Sequence, residues 1–232
     1  DRIFNKSYFI KKNVLETQDN EPDYYVRHNK RIYLFENKDV LIAKNIKSSG
    51  DINKINDVLK SKFLEVNNKP IGIGQLVNSI VQIVENNFKY DEYVNNKKSL
   101  TIYPILIIND RIFEILGINY RLNQWYLELV KEKLGDKYNP NFIKNLTIID
   151  IDTLIYWLPH LEKNDSNFRE IIDDHLKNMT SLKKVNHPNY EQGKIIANKN
   201  LNLQMAPISS RFYQYKFPMN LLIDKFQDVI TQ

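Results

Sequence analysis

The run Leu100 to Ile108 is nearly all apolar and stops at Asn109 and Asp110. Without polar alternation, a run this short reads as a strand buried on both faces. Such a strand sits inside a sheet covered on each side, and the rest of the chain supplies the parts. Tyr8 to Val14 and Tyr24 to Val26 are short runs rich in aromatic and β-branched residues, separated by the polar stretch Glu16 to Pro22. After His28, Asn29 and Lys30 comes Arg31 to Lys38, where the two-residue strand period puts Ile32, Leu34, Glu36 and Lys38 on one face.

Helical spacing begins after the breaker Ser48, Ser49 and Gly50, with Ile52, Ile55, Val58, Leu59 and Phe63 on one stripe. It returns from about Ile73 to Asn87, after Pro70 and Gly72, and again from Tyr120 to Leu134. Leu146 to Asp150 is a further strand, followed by helices over Thr153 to Leu161 and Phe168 to Leu176, with Asp152 and Ser166 as expected N-caps. The order is β-β-β-α-α-β-α-β-α-α, an α/β fold with a mixed central sheet flanked by helices. Beyond Lys183, interruptions at Pro188, Gly193 and Pro207 give a less regular pattern before an amphipathic stretch over Leu221 to Ile230. The expected organisation is a main domain over residues 1–180 and a basic, aromatic appendage over 181–232.

Composition narrows the chemistry. The 232 residues are 42% hydrophobic and 26% charged, enough apolar content to bury a real core. With no cysteine, disulfides, thiolate metal sites and a cysteine nucleophile are excluded. No apolar run approaches the roughly 18 to 20 residues of a membrane-spanning helix and no signal peptide opens the chain, so the expected location is cytoplasmic. The first residue is Asp1, not Met, which points to part of a longer polypeptide. Net charge is +5, and the 26 Lys and 30 Asn read first as a coding bias. Residues 176–232 nevertheless hold eight basic and three acidic residues, so the whole excess lies there.

One constellation carries chemistry. Pro22 and Asp23 stand at the mouth of one predicted strand, and Glu36, Asn37 and Lys38 end the next, with twelve residues between Asp23 and Glu36. Adjacent strands lie about 4.8 Å apart, so the two carboxylates converge on one sheet edge. Two carboxylates beside a backbone carbonyl make a hard-oxygen site suited to Mg²⁺ or Mn²⁺. Lys38 shares the face of Glu36, where its charge would stabilise a metal-bound water or a developing phosphate charge.

These residues resemble the PD-(D/E)xK, or restriction endonuclease-like, nuclease superfamily, matched at Pro22, Asp23, Glu36 and Lys38, with a three-stranded meander, a helix and a further strand over about Tyr8 to Ile108. The resemblance implies a Mg²⁺-dependent hydrolase of phosphodiester bonds, acting on DNA ahead of RNA. Asp23, Glu36 and the Asn37 carbonyl would be metal ligands, Lys38 the catalytic lysine, and Gln75 a helix residue approaching the site. It also implies further domains or subunits, or a homo-oligomer, and a setting in prokaryotic antiviral defence or restriction. The family's first helix would precede Asp1.

Other readings of the same residues stand beside this one. Asp23 also fits a turn, and Glu36 with Lys38 a solvated charge pair worth at most about 1 kcal/mol. Asp110 fits a turn, and Asp150 with Asp152 a helix start. His28, His160, His175 and His187 lack ligand spacing. Arg211, Tyr213 and Lys216 lie in a stretch that interleaves aromatic and basic residues, as a surface that stacks bases and holds phosphates does, or a strand packed on a core. A non-catalytic nucleic-acid-binding or assembly module on the same sheet is the alternative function.

Overall fold

A computed structural model describes residues 3–4, 8–12, 21–164, 166–181 and 185–212. Among these residues, seven strands and eight α-helices run in the order β1 (Phe9–Lys12), β2 (Tyr24–His28), β3 (Arg31–Lys38), α1 (Lys44–Lys47), α2 (Ile52–Phe63), β4 (Glu65–Val66), β5 (Lys69–Pro70), α3 (Ile73–Val84), β6 (Thr101–Ile108), α4 (Ile118–Leu134), β7 (Thr147–Asp150), α5 (Ile151–Leu161), α6 (Ser166–Thr180), α7 (Tyr190–Met205) and α8 (Ser209–Phe212). The main sheet has the order β1-β2-β3-β6-β7. Its first three strands form an antiparallel meander, while β3, β6 and β7 run parallel. The mixed α/β sheet flanked by helices is therefore as expected.

The alternation along β3 divides the molecule into two cores. Ile32 and Leu34 join Ile102, Leu106 and Ile108 against Phe63, Leu76, Ile80 and Trp125, which come from α2, α3 and α4. Tyr33 and Phe35 join Tyr103, Ile105 and Ile107 on the opposite face, against Trp157, Phe168 and Ile172 from α5 and α6. Both faces of β6 are thus covered, which is why that segment contains no charged residue. Full burial of each such side chain contributes about 1.5–3 kcal/mol.

Pro104 lies inside this central strand, a position where proline ordinarily removes a ladder hydrogen bond. Ile102 donates to the Phe142 carbonyl at 2.7 Å, and Lys144 donates back to the Ile102 carbonyl at 2.9 Å. The next rung would run from residue 104 to the Lys144 carbonyl. Instead the buried hydroxyl of Tyr126 donates to that carbonyl at 3.1 Å, replacing the missing N–H.

β7 ends the sheet, and α4 closes its open side with two buried asparagines one helical turn apart. Asn119 donates to the Leu146 carbonyl at 2.9 Å and accepts from the Ile148 N–H at 3.0 Å, while Asn123 accepts from the Leu146 N–H at 2.8 Å. Asparagine also serves the turns. Among the described residues, five of the six non-glycine residues with positive φ are Asn29, Asn67, Asn68, Asn86 and Asn96. With six glycines in the chain, asparagine takes the left-handed positions that glycine usually occupies. Asn67 and Asn68 form the tip of the β4–β5 hairpin, too short for its period to be read from sequence.

Three local expectations are corrected. α5 starts directly after β7, so Asp150 occupies the N-cap position and Asp152 lies within the first turn, where its charge complements the helix dipole. Ser166 is the first residue of α6, and Asn164 accepts its N–H at 3.0 Å. The stretch beyond Lys183 contains a helix that continues through Gly193, begun by Asn189, whose side chain accepts from the Gln192 N–H. Its C-terminal end docks on the main body: Gly117 donates to the Met205 carbonyl at 2.8 Å, and Ile208 is buried in the second core. The stretch Leu221 to Ile230 lies outside the described residues. Among those described, no helix is long and apolar enough to cross a membrane.

Candidate active site

The β2–β3 register pairs Tyr24 with Phe35, which sets Asp23 opposite Glu36 at the end of the hairpin ladder. The Asn37 N–H donates to Asp23 Oδ2 at 2.8 Å. In a strand the N–H and C=O of one residue project toward the same neighbour. The Asn37 carbonyl therefore turns toward the end of β2 where Asp23 sits, while the Glu36 and Lys38 side chains emerge on the face covered by α3.

Glu36 is fully buried, and neither carboxylate oxygen has a hydrogen-bond partner. Lys38 Nζ lies 3.3 Å from Glu36 Oε2, an ion-pair contact without hydrogen-bond alignment. Burial, reinforced by the nearby charge of Asp23, pushes the Glu36 carboxyl up to about 8 despite the opposing pull of Lys38. The solvated charge pair considered from sequence is thereby set aside for Glu36. A buried carboxyl with no geometric hydrogen bond and only the Lys38 ammonium beside it is costly in a core, and a divalent cation there would compensate that cost.

Lys38 is held by its stem. Gly72, at φ +49°, precedes α3, and a Cβ there would lie 3.4 Å from Lys38 Cγ and Cε and 3.2 Å from the Phe63 carbonyl. Glycine allows both the backbone turn and the passage of the lysine stem. Gln75, one turn into α3, accepts the Gly72 N–H at 2.8 Å. Its side-chain oxygen thus caps the helix beneath Lys38, and the structure brings Gln75 into the same locality through Gly72.

Other acids stand on this sheet edge. Lys38, Ile108 and Asp150 share one row across β3, β6 and β7, and Asp150 is buried. Two strand spacings separate it from Lys38 by about 10 Å at the Cα positions. Asp110 caps its own turn, accepting from the Ile112 N–H at 3.0 Å, and lies 3.8 Å from Lys47 Nζ. Among the described residues, no group of three acidic or histidine side chains forms a metal cluster. Asp23, Glu36 and the Asn37 carbonyl are the donor set that fits a divalent cation, by the hardness of their oxygens and the burial of Glu36 without a geometric hydrogen bond.

The expected nucleic-acid contacts lie elsewhere. Arg211 is buried, with Nη2 donating to the Leu203 carbonyl at 2.8 Å, and burial lowers its pKa. It ties the end of α7 to α8, so its guanidinium is not presented to a phosphate. Tyr213 and Lys216 lie outside the described residues. His175 is fully buried and held near neutral form by desolvation, its ring 3.0 Å from Asn119 Oδ1, a core contact.

No family model, no curated protein and no solved structure matches this chain.

Proposed function

We propose that the chain is a divalent-metal-dependent nuclease, hydrolysing phosphodiester bonds at the Asp23, Glu36 and Lys38 site. The observation that carries this reading is Glu36: a fully buried carboxyl without a hydrogen bond, facing Asp23 across the hairpin and 3.3 Å from Lys38 Nζ. Asp23, Glu36 and the Asn37 carbonyl would hold Mg²⁺ or Mn²⁺, and the bound ion would supply Lewis-acid polarisation of the phosphate and an acidified water. Lys38 places a cation where charge develops on the phosphate oxygens. Gln75 keeps α3 in register behind it. By family resemblance DNA is the substrate ahead of RNA, and restriction or antiviral defence in a prokaryote is the setting, with further domains or subunits selecting the target.

Cleavage of supercoiled plasmid and of single-stranded RNA, with Mg²⁺ or with chelator, tests the proposal. Wild-type protein cuts one of them only with metal, while Asp23→Ala and Lys38→Ala reduce the rate by about 100-fold or more. Equal cleavage by wild type and both variants would sink the assignment. Absence of cleavage together with salt-sensitive DNA binding would favour the non-catalytic module.

A further inference from the structure

A second polar pocket lies on the other face of β3 and at its other end. It is lined by Tyr8, His28, Arg31, Tyr33, Ser166 and Arg169, and its volume is about 130 Å³. Arg31 opens β3 while Glu36 lies five residues on, about 17 Å along the strand. Strand alternation also turns Arg31 and Tyr33 to the face opposite Glu36 and Lys38. The pocket is therefore separate from the acidic site.

Its donors outnumber its acceptors. Arg31 has no carboxylate partner among the described residues. Arg169 has only loose ones: Nη2 is 3.8 Å from Glu170 Oε1 and Nε is 3.9 Å from Asp173 Oδ2, and both carboxylates are largely solvated. Those carboxylates have other duties, Glu170 accepting from the Ser166 hydroxyl at 2.7 Å and Asp173 from the Tyr103 hydroxyl at 3.0 Å. Tyr33 is only 2% exposed, yet its hydroxyl makes no hydrogen bond to a described residue. The His28 ring packs on Tyr8 at 4.4 Å and forms a wall, with Nδ1 unpartnered. Ser166, the first residue of α6, also lines the pocket, with its own N–H already taken by the Asn164 side chain. Two guanidiniums and a buried phenol around one small space form an anion receptor. The volume equals about four waters, enough for one tetrahedral oxyanion and too small for a nucleoside.

We propose that this pocket binds a single phosphate group, free or as the terminal phosphate of a nucleotide chain, through Arg31, Arg169 and the Tyr33 hydroxyl. Both sources present the same doubly charged oxyanion, for which a pair of guanidinium forks is the fitting partner.

Calorimetric titration with inorganic phosphate, at matched ionic strength and with chelator to keep metal from the acidic site, reads this directly. The expected result is one saturable site per chain, weakened about tenfold or more by Arg31→Gln or Arg169→Gln and severalfold by Tyr33→Phe, which keeps the ring packing. Lys38→Ala leaves it unchanged. Competition by a 5′-phosphorylated oligonucleotide, but not by its 5′-hydroxyl form, assigns the site to a chain end; phosphate binding without that competition assigns it to the free anion. Absence of saturable binding, wild-type affinity in both Arg31→Gln and Tyr33→Phe, or loss of binding in Lys38→Ala overturns the proposal.

Discussion

Replacing Glu36 by Gln keeps the shape of the buried carboxyl and removes its ability to ionise. In the metal-free protein Glu36 titrates near 8, against an ordinary value of 4.5. Below pH 4.5 both the folded and unfolded chains carry the proton, and the group costs nothing. Between 4.5 and 8 the unfolded chain has released it while the folded chain retains it, so stability falls as pH rises. Above 8 both are ionised and the loss levels off. A difference of 3.5 pH units corresponds to about 5 kcal/mol at 1.36 kcal/mol per unit. Urea denaturation in chelator across pH 4 to 9 measures it: the wild-type curve declines relative to that of Glu36→Gln by several kcal/mol through this window. Added Mg²⁺ should reverse the order at pH 8, stabilising wild type and leaving the variant almost unaffected. Parallel pH curves for the two proteins would refute the burial argument, and equal Mg²⁺ stabilisation would refute the assignment of Glu36 as a ligand.

Asn119→Ala strands the Leu146 carbonyl and the Ile148 N–H at the edge of β7, and should lower unfolding free energy by about 2–4 kcal/mol, read by denaturant titration. Gly74→Ala would set a Cβ hard against the Leu64 carbonyl oxygen, a backbone clash expected to cost about 3 kcal/mol or more and to lower the melting temperature accordingly. Gly72→Ala forces a residue with φ +49° against the Lys38 stem; a cost of about 1–3 kcal/mol should come with a fall in metal-dependent cleavage, measured on folded protein. His175, depressed by burial to about 3 from 6.5, resists protonation in the fold, so its contribution is intact above pH 6.5 and is lost as pH falls toward 3. His175→Gln should flatten that acid limb in the same titration.

Much of this architecture was legible because burial leaves a periodic signature. β3 and α2 begin and end where the alternation and the helical stripe place them, and the uninterrupted run over β6 announces cover on both faces. The pairing of Asp23 with Glu36 could be anticipated too, since a hairpin fixes which residues stand opposite one another. Elements set by single contacts were not legible. The β4–β5 hairpin is two residues per strand, and α7 has no buried stripe and passes through Gly193, so neither carries a period. Arg211 reads as a phosphate contact in a run of aromatic and basic residues because sequence does not record which side of a helix will be covered.

The sequence by itself determined the layered α/β fold and brought one acid pair and one lysine to a single sheet edge, because strand period and hairpin register are local geometric rules. Only the tertiary structure decided the electrostatic state of that pair, because α3 closes over Glu36 and removes its water. It alone also decided that Arg31 and Arg169, 138 positions apart by their numbers, face one small pocket, because that proximity depends on α6 packing across the far side of the sheet.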